Sequence, residues 1–95
     1  MPNRAPRRSE SVIRRRVAEE AFLVPIAGNL ADLRGLYALN AVADFVWERL
    51  DGTRTVPELA TEVCGAFEVD LETARNDIDG LLGKLGELGF LEHAA

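Results

Sequence analysis

The clearest structural signal in the chain lies in residues 40–60, which read NAVADFVWERLDGTRTVPELA. Asn40 is a favourable N-cap, because its side chain can accept a hydrogen bond from the first turn of a helix. Apolar residues then recur every three to four positions, which predicts an amphipathic helix over residues 41–50. Asp51-Gly52 is a turn signal that ends this helix, and Trp47, beside the apolar stripe, is expected to close the core.

Residues 55–58, Thr-Val-Pro-Glu, predict the start of a second helix. Threonine and glutamate at this spacing form a capping box, and proline in the first turn costs nothing, since its missing N–H would be unpaired there anyway. This helix is expected to end near Cys64, with Gly65 as its C-terminal glycine. A third and longer helix is predicted over residues 71–88, where Asp70 is the N-cap and leucines, an alanine and an isoleucine form one apolar stripe.

Three short strand-like segments precede the helices, at residues 12–17, 21–26 and 35–39. They are rich in apolar and β-branched residues and are separated by turn-like sequence. Pro25 lacks an N–H, so we expect its strand at a sheet edge, or Pro25 at a position that faces away from the ladder. The order β-β-β-α-α-α predicts an α+β fold that is winged-helix-like, with a small N-terminal three-stranded antiparallel sheet followed by three helices.

The charge is divided between a basic start and an acidic body. Residues 1–16 carry six arginines against one glutamate, a net charge of +5, and residues 17–95 carry five basic against fifteen acidic residues, a net charge of −10. Residues 1–11 show no periodic pattern and are interpreted as a flexible basic arm. A single domain is expected over residues 12–92, with a tail at 93–95. The acidic body argues against a folded surface that binds nucleic acid through counterion release.

Several function classes are disfavoured by what the sequence lacks. Cys64 is the single cysteine and His93 the single histidine, so the chain cannot form an internal disulfide or a paired-thiolate metal site. It also lacks the usual set of residues for a zinc site or a nucleophile–base arrangement. Acidic pairs such as Asp77 with Asp79 have no partner base or metal cluster. No apolar run approaches the roughly 20 residues that span a bilayer, and no secretory signal pattern is present. We therefore expect a cytoplasmic protein that is not an enzyme and needs neither a metal nor a cofactor.

Two features indicate a binding surface. The third predicted strand follows a long loop and directly precedes a helix, so it is expected at a sheet edge, where unpaired N–H and C=O groups can accept an added strand. The third predicted helix contains Gly80, Gly83 and Gly86, whose missing side chains leave room beside it. These glycines fit either a groove for a peptide or close packing against the first helix. The edge, in turn, could be covered by the basic arm or by dimerisation instead.

The order and spacing of four stretches resemble the PqqD-like family, the relatives of pyrroloquinoline quinone biosynthesis protein D. The stretches are residues 35–40 (GLYALN), 46–60 (VWERLDGTRTVPELA), 69–74 (VDLETA) and 88–92 (LGFLE). Each motif alone is weakly specific, but the four occur in the family's order. The resemblance spans nearly all of the predicted domain.

This resemblance implies a non-catalytic peptide chaperone, a stand-alone recognition element of pathways that make ribosomally synthesised, post-translationally modified peptides (a RiPP recognition element). Such modules bind the leader segment of a precursor peptide as an added strand. They present it to a modifying enzyme, such as a radical SAM protein, or to a leader peptidase. The peptide-binding residues that the resemblance implies are Leu36, Tyr37, Ala38 and Leu39 at the pairing edge and Leu71, Arg75, Ile78 and Leu82 in the groove.

Two departures from the family pattern favour a pathway other than quinone synthesis. Quinone-pathway proteins typically carry a cysteine where this chain has Leu50, and the loop over residues 27–34 is longer than in many relatives. Two further function classes remain open. A winged-helix nucleic-acid binder would use the third helix for recognition, although residues 71–88 hold two basic against four acidic residues. A regulatory subunit would dock on a larger enzyme without touching its substrate. Arg75 fits either a contact to an anionic peptide end or an exposed arginine among acids.

Overall fold

The structure, a computed structural model, describes residues 5–26 and 37–92 of the 95-residue chain. The elements in chain order are β1 (Arg7–Arg8), β2 (Val12–Val17), β3 (Glu20–Pro25), β4 (Tyr37–Leu39), α1 (Ala41–Glu48), α2 (Val56–Ala66), α3 (Leu71–Glu87) and β5 (Leu91–Glu92). Strands β2, β3 and β4 form an antiparallel sheet in that order, and β1 pairs with β5 in a second, two-stranded sheet. The predicted α+β class, a three-stranded sheet ahead of three helices, is confirmed.

Each helix begins where the sequence predicts. The Asn40 side chain accepts a first-turn N–H of α1 at 2.8 Å, and the Asp70 carboxylate accepts one of α3 at 2.7 Å. The capping box of α2 closes in both directions between Thr55 and Glu58. Backbone N–H donors hold the pKa values of the Glu58 and Asp70 carboxyls below their usual values, because the charged form is the better acceptor. Local side chains therefore set these boundaries by satisfying N–H groups that a helix leaves unpaired.

The end of α2 differs from the prediction. The helix continues one residue past Gly65 and stops at Phe67, whose backbone is extended. The Phe67 ring lies edge-on to Phe45 of α1, with 5.4 Å between ring centroids. An aromatic contact between helices accompanies this boundary, and no glycine cap is used. At the end of α3, in contrast, Gly89 has a φ of +75°, the left-handed conformation in which glycine commonly ends a helix.

The described part of the basic arm belongs to the fold. Arg7–Arg8 pair with Leu91–Glu92. The Arg8 guanidinium donates to the carbonyls of Trp47 and Glu48 at 3.1 and 2.9 Å. These carbonyls belong to the last turn of α1, where C=O groups lack the usual partner four residues further on, and this end of a helix attracts a cation. Residues 7–8 thus pair with the last strand of the fold, and the domain bounds of 12–92 stay a prediction.

The core lies between the inner face of the sheet and the three helices. Its largest fully buried side chains include Leu23, Leu50, Leu59, Ile78 and Leu85. Trp47 is 3% exposed and closes the core as predicted. No polar or charged side chain of residues 5–26 and 37–92 is buried, so packing of apolar surface holds the layers together. Within these residues, no helix is both long enough and apolar enough to cross a membrane.

One ion pair ties the sheet to α1. Arg14 of β2 meets Asp44 of α1 through two contacts, Nη2 to Oδ2 at 2.7 Å and Nε to Oδ1. The hydrogen bond to Asp44 raises the pKa of the Arg14 guanidinium above its usual value. Both side chains are about three-quarters covered, at 26% and 21% exposure, so the pair is better shielded from solvent than an ordinary surface ion pair.

Pro25 lies on the central strand, and the second of the two predicted explanations holds. Its partner on β2 is Val12, and in the next pair the Ile26 N–H donates to the Ser11 carbonyl at 2.6 Å. Hydrogen-bonded pairs alternate along an antiparallel ladder, so the Pro25 nitrogen points away from β2. In the described part of β4, pairing reaches only residues 21–23 of β3. The missing N–H therefore removes no bond from either of these ladders.

Candidate functional site

The site begins at β4, which is an edge strand as the sequence predicts. Ala38 lies opposite Phe22 on β3. Hydrogen-bonded and non-hydrogen-bonded pairs alternate along β3, and Ala21 and Leu23, like Pro25, direct their backbone groups away from β2. Their partners Leu39 and Tyr37 are therefore the β4 residues whose backbone groups bond to β3. Ala38 is exposed, and its N–H and C=O point outward from the sheet. The edge thus presents one unpaired donor and one unpaired acceptor to an extended chain.

A groove of about 330 Å³ lies beside this edge, between β4, the first turns of α1 and α3. Its floor is apolar and includes Val46 and Ile78, both fully buried. The other apolar lining residues are Tyr37, Val42, Ala43 and Leu81. The polar lining residues are Asn40, Asn76 and Asp77. An apolar floor with a few polar groups at its rim is typical of a site that takes a side chain and orients it.

Metal chemistry finds no support at this site. Within the described part of the chain, no group of three or more histidine, cysteine, aspartate and glutamate side chains could hold a metal ion. The lining of the groove offers Asp77 and Tyr37 as its titratable side chains. This arrangement suits binding by shape, hydrogen bonds and charge.

The sequence profile of the family described as coenzyme PQQ synthesis protein D (PqqD) matches residues 27–91. The chain belongs to the PqqD family. The resemblance inferred from motifs is thereby confirmed. Among solved structures, the fold is similar to that described as TbiB1 in complex with the TbiA(beta) leader peptide. The identity is 22% and the TM-score 0.72, and the match covers 94% of this chain and 98% of that chain. No curated protein sequence matches the chain significantly.

In this PqqD-family chain, the three described residues of the predicted pairing edge have three different environments. Tyr37 lies on β4 and lines the groove. Ala38 faces outward, and Leu39, 7% exposed, packs into the core. Leu36 lies outside the described residues. The edge therefore combines one outward backbone position with one side chain that reaches the groove.

The residues predicted for the groove are also divided. Ile78 forms part of its floor. Leu82 is half-buried and packs against the core cluster without lining the groove. Leu71, 56% exposed, and Arg75 lie on the solvent side of α3 and do not line the groove. The arrangement thus brings Tyr37 and Ile78 together and leaves the other three apart from them.

The structure also decides between the two explanations for the glycines of α3. Apart from the backbone of α3 itself, a methyl group at Gly80, Gly83 or Gly86 would meet no heavy atom of residues 5–26 and 37–92 within 4 Å. Close packing of these positions against α1 is therefore excluded. Gly80 lines the groove, so its missing side chain keeps the groove open on that side.

Sequence reasoning missed the α1 side of the groove and its polar rim. Val42 and Val46 belong to an apolar stripe that was assigned to the core, and Asn40 was assigned to capping alone. Both assignments hold, since Asn40 caps α1 and also lines the groove. Chain position could have predicted this side of the groove, because one residue separates β4 from α1 and the first turn of α1 must therefore lie beside the end of the strand.

Proposed function

We propose that this PqqD-family chain is a non-catalytic recognition element that binds the leader segment of a ribosomally synthesised precursor peptide. The leader adds as a strand to the outer edge of β4 and is presented to a modifying enzyme, such as a radical SAM protein, or to a leader peptidase. One observation carries the proposal: the outward N–H and C=O of Ala38 lie beside a groove with an apolar floor. Main-chain bonds at the edge supply affinity, and the groove selects side chains.

Two further observations support this function. TbiB1, whose fold is similar, was solved in complex with a leader peptide. The exposed surface of α3 bears four acidic residues and two basic ones, Arg75 and Lys84. The Lys84 Nζ lies 3.9 Å from the Glu87 Oε2, so this lysine is already paired with an acid. A helix with this charge repels phosphates, which disfavours the nucleic-acid alternative.

Titration of the isotope-labelled protein tests the proposal. The probes are synthetic leader peptides of precursors encoded beside the gene, and the measurement follows backbone amide shifts. We expect the amides of Ala38, Val42 and Gly80 to shift and saturate together. The amide of Arg16, on the opposite edge of the sheet, should remain in place. A saturating leader that leaves Ala38 and the groove unperturbed would contradict the proposal.

A further inference from the structure

The groove has one charged residue in its described lining, Asp77 of α3. Two acidic side chains elsewhere in the described part of the chain are paired with arginine: Asp44 with Arg14, and Glu62 Oε2 with Arg54 Nε at 2.7 Å. No such ion pair involves Asp77 within residues 5–26 and 37–92, and this residue is exposed. Among the described residues, the Asp77 carboxylate therefore stands at the groove without a cation that neutralises it.

The surroundings of Asp77 define what would fit. The next residue, Ile78, is fully buried and belongs to the apolar floor, and Asn76 continues the polar rim. The groove offers a side chain both an apolar floor and a carboxylate at its rim. Lysine and arginine suit this combination, because their methylene stems pack on apolar surface while the cationic head stays at a polar edge.

Strand geometry specifies which peptide position is involved. A strand added to β4 pairs one of its residues with Ala38, whose side chain lies on the sheet face opposite to that of Tyr37. Side chains alternate along the added strand, so the residues on either side of the paired one point to the Tyr37 face. Tyr37 lines the groove, so one of these flanking positions delivers its side chain there.

We infer that the peptide recognised at this edge carries lysine or arginine one position from the residue that pairs with Ala38, with its cationic head at the Asp77 carboxylate. This inference rests on the proposed function and names the class of peptide that the site selects. An ion pair at a solvent-accessible rim is modest, so the expected preference for lysine over norleucine, which has the same four side-chain carbons but no ammonium group, is about fivefold. The preference weakens as salt is added, because the rim is open to ions.

The test selects a display library of short randomised peptides on the wild-type chain, on Asp77→Lys and on Asp79→Lys. Asp79 is the matched control, since it is an exposed acid of the same helix, does not line the groove, and gives the same change of net charge. We expect wild type and Asp79→Lys to enrich lysine or arginine at one position. Asp77→Lys should enrich glutamate or aspartate there. Replacement of the enriched lysine by norleucine should cost about fivefold in affinity on wild type and nothing on Asp77→Asn.

Two results overturn the inference, and a third addresses the proposed function. Selected peptides that shift the Ala38 and Gly80 amides but show no cationic preference contradict the role of Asp77 and leave leader binding intact. The same preference on all three chains assigns the selectivity to another residue and also contradicts it. A selection in which no peptide shifts these amides contradicts the proposed function itself. Circular dichroism of both lysine variants verifies that the exposed substitutions leave the fold unchanged.

Discussion

The two edges of the three-stranded sheet share the same backbone chemistry and differ in everything around it. β2 has six residues, three of them arginines at positions 14–16, whereas β4 has three residues, Tyr-Ala-Leu, and no charge. Arg14 is turned back onto Asp44, and Arg15 and Arg16 are exposed along the strand. Charged side chains along an edge discourage another strand from pairing with it. The groove with the apolar floor lies beside the uncharged edge.

This difference indicates how one small sheet can offer a single docking edge. Unpaired N–H and C=O groups exist on both sides, so hydrogen-bonding capacity does not distinguish the edges. The side chains distinguish the edges, because charged arginines lie along β2, whereas the small, uncharged Ala38 leaves the outer edge of β4 accessible. In the proposed function, the groove beside β4 adds selectivity to that edge.

The largest expected effect is a loss of stability when the floor of the groove on the β4 side is truncated. Ile78 is fully buried and forms both groove floor and core. Ile78→Ala should lower the free energy of unfolding by about 3 kcal/mol, because it removes buried methylene groups and leaves a cavity. Leu71→Ala on the same helix is the control. Leu71 is 56% exposed, so we expect a loss of less than about 0.5 kcal/mol. Urea denaturation measures both, and equal losses would show that Ile78 is not a core residue.

A second experiment compares the edges directly with proline. Ala38 on β4 and Arg16 on β2 both direct their N–H outward, by the alternation of the two ladders. Proline at such a position removes a donor that the sheet itself does not use. Ala38→Pro should weaken leader binding by about tenfold or more, since the added strand keeps an unpaired carbonyl. Arg16→Pro should leave the affinity nearly unchanged.

Calorimetric titration of both proline variants measures this difference, and their melting temperatures control for damage to the sheet. Comparable weakening by Arg16→Pro would mean that the β2 edge takes part in binding. Wild-type affinity of Ala38→Pro would remove the β4 edge from the mechanism.

The smallest expected effect is a gain in stability from a substitution in the turn that follows β2. Ala18, in the turn between β2 and β3, has a φ of +57°, a left-handed conformation that is strained for alanine and free for glycine. Ala18→Gly should raise the free energy of unfolding by about 0.5–1 kcal/mol and leave leader affinity unchanged. Glu19→Gly is the control, since this position does not have a positive φ and glycine there only adds freedom to the unfolded chain. Thermal unfolding distinguishes the two, and an equal or better gain from Glu19→Gly would refute the strain argument.

Short-range chemistry explains why much of the fold could be predicted. Asn40, Thr55 and Asp70 each cap a helix through a residue three positions away, so the necessary partners are visible in the sequence. The end of α2 escaped prediction because Phe67 meets Phe45, which is distant along the chain. The basic arm escaped for the same reason, since Arg8 reaches the carbonyls of Trp47 and Glu48 across about forty positions.

The amino-acid sequence by itself determined the class of fold, the start of each helix, the family and the placement of β4 at an edge. These properties follow from periodicity, capping and motif order, which act over a few residues. Only the tertiary structure decided that Arg7–Arg8 pair with the last strand, that the glycines of α3 have no close neighbour among the described residues outside their helix, and that Asp77 stands at the rim of a groove. A groove exists only where β4, α1 and α3 pack side by side, and such packing depends on contacts between residues far apart in sequence.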